Sequence, residues 1–109
     1  MKPLSVNGRA FAHIADYHPE LTAFRRDLHR NPELAFHEQR TAATLAARVR
    51  GLGYEVTTGV GGTGIVAILR NGPGPVVMFR TELDALPMEE KTGLPFASTV
   101  KTKNDAGDV

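Results

Sequence analysis

The chain has 109 residues, room for one compact domain and too few for two. Its 41% apolar and 23% charged residues are a globular composition, and a formal charge of +1 supplies neither a basic field for nucleic acid nor a polybasic membrane anchor. With no cysteine there is no disulfide framework and no thiolate for zinc or for nucleophilic attack, which agrees with a reducing, cytoplasmic setting.

Residues 1 to about 12 lack periodicity and read as a lead-in, with Ser5, Asn7, Gly8 and Arg9 interrupting any secretory h-region. From Ile14, the series Ile14, Tyr17, Leu21, Phe24 and Leu28 advances in steps of three and four along one helical face. This first helix is expected to start between Asp16 and His18, with Pro19 in its first turn, and to run to Arg30, where Asn31-Pro32 ends it. A second helix is expected from His37 to Leu52, with Ala42, Leu45, Ala46, Val49 and Leu52 as its stripe and Gly51 and Gly53 placed to stop it. Tyr54 to Thr57 alternates as a half-buried strand does. The longest apolar run, Ile65–Leu69, is far shorter than the roughly 20 residues needed to cross a bilayer and reads as a buried strand. Asn71-Gly72-Pro73-Gly74-Pro75 is a turn, and Val76-Val77-Met78-Phe79 the returning antiparallel strand. Beyond Asp84 the chain reads as loop.

The resulting expectation is an α/β arrangement, two helices packed on one face of a three-stranded, partly antiparallel sheet. Ile65, Ile68, Val77 and Phe79 are its expected central contacts, so Ile68→Asp is expected to unfold the chain.

Three groups of residues invite a chemical reading. Gly59-Val60-Gly61-Gly62-Thr63-Gly64 matches G-x-G-x-x-G, but a dinucleotide cradle needs a helix N-terminus directly after the glycines. Here the strand Ile65–Leu69 follows, so the motif is read as a turn between strands. The four histidines, His13, His18, His29 and His37, include no H-x-x-x-H pair and read as solvated or hydrogen-bonded side chains. Arg80-Thr81-Glu82-Leu83-Asp84-Ala85-Leu86-Pro87 sets two carboxylates at i and i+2 after an apolar strand, on one side of an extended backbone. Such a pair can hold a hard cation or orient a ligand, and it can equally be a solvated strand end with Glu82 paired to Arg80. Spacing alone leaves both readings open.

Read together, Asp27-Leu28-His29-Arg30-Asn31-Pro32-Glu33-Leu34-Ala35-Phe36-His37-Glu38-Gln39-Arg40-Thr41-Ala42 resembles the opening signature of the hippurate hydrolase and N-acyl amino acid amidohydrolase family. Gly53-Tyr54-Glu55-Val56, Gly61-Gly62-Thr63-Gly64, Arg80 to Pro87 and Lys91-Thr92-Gly93-Leu94-Pro95-Phe96-Ala97-Ser98 continue the resemblance in order, over about residues 20 to 100. It implies an aminoacylase and carboxypeptidase type of metallopeptidase fold, a mixed-sheet catalytic domain interrupted by a lid domain. It also implies hydrolysis of N-acyl amino acid amides at two divalent ions (zinc, manganese or cobalt), where a metal-activated water attacks the carbonyl.

In the wider family the strand-end segment reads His-x-Asp-x-x-Pro. Asp84 matches its Asp and is the candidate catalytic residue carried over. Glu82 stands at the His position and is the weaker candidate metal ligand. The family's Cys-Gly-His-Asp-x-His ligand segment and its general base have no counterpart among these residues. The expectation is therefore that residues 1–109 are the opening part of such a domain, without the lid, with no stably bound metal and inactive alone. The expected partner is a small N-acyl amino acid, with neither nucleic acid nor membrane, and with self-association through exposed sheet edges. The alternative is a non-catalytic interaction module derived from the same fold.

Overall fold

A computed structural model describes residues 13–109, and in them the order is α1 (Ile14–Arg30), α2 (Gln39–Gly51), β1 (Glu55–Val60) and β2 (Gly64–Ile68). The expected lead-in and the reading against a signal segment lie outside the described residues. None of the described helices is long and apolar enough to cross a membrane.

The first helix starts at Ile14, before the expected Asp16 to His18, so Pro19 sits in its second turn. Proline has no N–H to offer the Ala15 carbonyl, and this turn is exposed throughout, so water can take that partner's place. The end is where Asn31-Pro32 put it. The Asn31 N–H donates to the Leu28 carbonyl at 3.2 Å, and its side-chain amide donates to the Asp27 carbonyl at 2.9 Å.

Helix α2 stops in a Schellman motif. The Gly53 N–H bonds the Arg50 carbonyl at 3.0 Å and the Tyr54 N–H bonds the Val49 carbonyl at 3.2 Å, with Gly53 at φ +93°. That reversal delivers the chain into β1, which pairs antiparallel with β2 in the register Glu55↔Ile68, Val56↔Ala67 and Thr57↔Val66, followed by an irregularity before Val60↔Gly64. The glycine run is the hairpin turn. Gly61 and Gly62 have φ of +62° and +109°, and a Cβ at Gly64 would lie 2.5 Å from the Val60 carbonyl oxygen.

Two expectations are corrected here. The helices do not share a sheet face: α2 packs on β1 and β2, and α1 makes no comparable contact with either strand. Ion pairs join α1 to α2 instead, Arg40 to Asp27 at 2.9 Å and Arg48 to Glu20 at 2.7 Å, with the Arg48 guanidinium 5.3 Å from the Phe24 ring centre. Most of the α1 stripe stays wet, with Ile14, Tyr17 and Leu21 about half exposed.

Among the described residues the sheet has two strands, not three. Val76–Phe79 is unpaired, and its side chains are 83 to 99% exposed. Gly72 and Gly74, at φ +88° and +141°, carry the chain past β2, and Pro73 and Pro75 bring no N–H to a ladder. Among the described residues no strand edge lies beside the run for it to pair with.

The core is correspondingly small. Ala42 and Ala46 are its buried apolar residues, with Glu38 and Thr41 buried beside them, while the expected central contacts Ile68 and Phe79 are exposed. The accessible surface is 9317 Å², where a globular chain of this mass has about 5,900 Å².

Candidate functional site

The site is assembled by carboxylates that close the gaps between elements. Helix α2 has no capping side chain at its own N-cap residue, Glu38. The cap comes from Glu33, whose two oxygens accept the N–H groups of Arg40 at 3.1 Å and Thr41 at 2.5 Å. These are two of the donors that a helix start leaves unpaired. Partial burial acts to raise the Glu33 carboxyl, but the Thr41 and Arg40 hydrogen bonds and the Arg40 charge prevail and hold it below the ordinary range.

The buried Glu38 turns the other way and accepts a hydrogen bond from the Thr63 hydroxyl, pinning the glycine turn to the start of α2. That bond, more than the opposing burial, places the Glu38 carboxyl below its ordinary range, with backbone N–H groups and His37 adding to it.

The segment from Arg80 to Asp84 lies across this corner. Together with Phe36, Glu38 and the glycine turn it lines an open depression of about 410 Å³. Both sequence candidates are therefore in one place, Glu82 and Asp84, exposed at its margin. They stand on coil and not at a strand end, because the strand expected before them does not form. Glu82 accepts a hydrogen bond from Arg80 Nη2 at 3.1 Å, which is the solvated ion-pair arrangement the spacing left open. Immediately after Asp84, the Ala85 N–H donates to the Glu33 carbonyl at 2.8 Å and ties the segment to the interhelical loop.

The two-ion centre implied by the resemblance does not fit these residues. Among the described residues no three His, Cys, Asp or Glu side chains converge where an ion could be held. Three of the four histidines meet single carboxylates: His13 with Asp16 at 3.4 Å, His29 with Glu90 at 2.7 Å and His37 with Asp105 at 2.9 Å. No chemical step through a metal is derived from these residues alone. The glycine motif is followed by β2 and so lacks the helix a phosphate cradle requires.

Sequence reasoning missed Glu33, Glu38 and Glu90. The bonds that tie them to other elements reach partners 7 to 61 residues away in the chain, so no local signal marked them. A capping box, the one pattern that would flag an acid at a helix start, needs a spacing of about three residues.

No family model and no solved structure matches the chain. Among curated proteins it is 42% identical over 82 residues to the putative amidohydrolase YhaA of Bacillus subtilis, a match covering 74% of this chain and 21% of that protein. It is 40% identical over 86 residues to the hippurate hydrolase of Campylobacter jejuni, covering 78% of this chain and 22% of that one. A protein of Rhodococcus jostii named a putative glutamate–cysteine ligase is 44% identical over 81 residues, a match covering 74% of this chain and only 10% of the relative. The chain thus spans about a fifth or less of the length of these relatives. Over the matched residues it is similar to proteins named as an amidohydrolase and a hippurate hydrolase, at 40 to 42% identity.

Proposed function

We propose that these residues form part of the catalytic domain of an amidohydrolase that cleaves the amide bond of N-acyl amino acids, and that they are inactive alone. The identity to hydrolases supports the class of reaction. The observation that carries the incompleteness is the surface: 9317 Å² exposed, against about 5,900 Å² for a globule of this mass. Apolar runs such as Val76–Phe79 lie within that excess and call for structure on both faces. Asp84 is the site residue in this reading and Glu82 the second. Any divalent ions belong to it only with donors from outside these residues, since none of the described side chains completes a site.

A ligase reading rests on a relative of which the match spans a tenth, so it is not favoured. The interaction-module alternative has no observation in its favour, since these relatives carry the names of enzymes.

The test is turnover of hippurate-like substrates by the purified chain with manganese, zinc or cobalt, beside an Asp84→Asn variant. No activity above background is expected, because hydrolysis of this type needs an ion held by several ligands and a base for the water's proton, the latter alone worth about 10²–10⁴-fold. Metal-dependent turnover abolished by Asp84→Asn would show a complete site and overturn the proposal. A Cys-Gly-His-Asp segment encoded beyond codon 109 would support it.

A further inference from the structure

Among the described residues, the backbone hydrogen bond that holds the segment bearing Glu82 and Asp84 lies on its downstream side. Upstream, Val76 to Phe79 is unpaired and almost wholly exposed. Downstream, the first tie is the Ala85 N–H on the Glu33 carbonyl at 2.8 Å. One such bond between half-buried residues is a modest restraint, worth about 1 kcal/mol.

The second tie is built on Glu90. Its carboxylate accepts the Ser98 N–H at 3.0 Å and the Thr92 hydroxyl, closing residues 90–98 into a loop. The same carboxylate meets His29 Nε2, in the last turn of α1, at 2.7 Å. Phe96, presented by the closed loop, stands edge-on to the His29 ring at 5.6 Å, with the Arg26 guanidinium 4.6 Å from its centre. One side chain therefore both shapes the loop and seats it on a helix. Only four residues separate Ala85 from Glu90, and Pro87 stiffens them.

We propose that Glu90 is a positioning residue for the Glu82–Asp84 pair: by seating loop 90–98 on α1 it reinforces the Ala85 tie and keeps both carboxylates at the depression. The importance of that pair rests on the proposed function, but the coupling itself does not.

The device responds to pH. The Ser98 and Thr92 hydrogen bonds hold the Glu90 carboxyl below its ordinary range, burial opposes them, and His29 adds to them. The charged groups around it are His29, Arg25 and Arg26 on α1, and Glu89 and Lys91 in its own segment. Protonation of Glu90 as pH falls through its lowered value removes the charge that His29 and the loop donors hold.

Amide hydrogen exchange on the whole 109-residue chain tests this. Glu90→Ala is expected to lower protection about tenfold at Ser98 and severalfold at Ala85, leaving Ala46 in α2 unchanged. Glu90→Gln keeps an oxygen for the Ser98 amide, so it is expected to restore part of that protection. It is also expected to reduce the acid-side fall in Ala85 protection expected of the wild-type chain, leaving the share due to Glu33 and Glu38. If Glu90→Ala frees Ser98 but not Ala85, the loop does not position the pair and the proposal falls. Equal loss at Ser98, Ala85 and Ala46 would also overturn it, by making Glu90 a contributor to global stability only. Neither result depends on turnover, so the proposed function stands or falls separately.

Discussion

Residues 39–68 and residues 69–109 contain comparable apolar runs, yet only the first stretch forms regular structure. The contrast lies in where backbone partners come from. Helix α2 satisfies the N–H and C=O groups of its interior within 13 residues, and β1 finds β2 across a short glycine turn. Val76–Phe79 is the more apolar segment, but a strand cannot bond to itself, and no edge lies beside it. Strand propensity is fitness for a pleated, half-buried surface, and without that surface it yields extended coil.

The largest effect should come from the residue that joins the ordered elements. Ala46 is 1% exposed, where α2 lies on the hairpin. Ala46→Asp would bury an unpaired charge and overfill a closely packed contact, costing about 3 kcal/mol or more. Loss of helical circular dichroism at 25 °C is the expected result. Ile68→Asp is the contrasting control. Ile68 is 45% exposed, so this change should cost only about 1 kcal/mol and leave the chain folded, contrary to what its apolar run suggests. If the two variants melt alike, the contact between α2 and the hairpin is not where the stability lies.

Most of the ordered half was legible in the sequence because its signals are local. Asn31-Pro32 ends α1, Gly53 closes the Schellman motif, and the Gly59–Gly64 run turns between strands, each acting over a few residues. The missed features are long-range. Glu33 caps a helix that starts six residues later, Glu38 reaches Thr63, and Glu90 reaches His29. Nothing in the neighbourhood of an acidic residue shows which distant donor the fold will bring to it. The third strand was misread for the same reason, since its pattern is real but its partner is not specified by the run itself. Asp84 and Glu82 were found by resemblance and spacing, and the structure places them at one depression, where among the described residues no three His, Cys, Asp or Glu side chains converge.

A middle-sized effect should come from the cap that lets the ordered half begin. Glu33→Ala strips the Arg40 and Thr41 amides of their acceptor and should cost about 1 kcal/mol, while Glu33→Gln, which keeps one oxygen, should cost less. The pH dependence has a definite sign. The folded Glu33 carboxyl lies below its ordinary value, so its contribution is complete above about pH 4.3, the unfolded value. It is lost as pH falls through the lowered folded value. Glu38 and Glu90 titrate in the same direction, so the informative quantity is the difference between the wild-type chain and Glu33→Gln in urea midpoint across that range. A difference that stays constant with pH would mean that water, not Glu33, satisfies the helix start.

The smallest effect on the folded monomer should come from the unpaired half. Phe79 is 99% exposed and Val77 83% exposed, so Phe79→Ser and Val77→Lys remove nothing from a core. Each should shift stability by no more than about 0.5 kcal/mol. Their effect should appear between molecules instead. An exposed apolar strand with free N–H and C=O groups pairs readily with another chain. The wild-type protein is therefore expected to elute as larger species as its concentration rises, and the two variants to stay smaller. A lysine at Val77 should act more strongly than a serine at Phe79, because two copies paired through this run would bring like charges close together. Light scattering coupled to size exclusion separates the cases. If Phe79→Ser instead lowers the melting temperature by several degrees with no change in size, Phe79 is packed within its own chain in solution. The division into an ordered and an unpaired half would then be wrong at its clearest point.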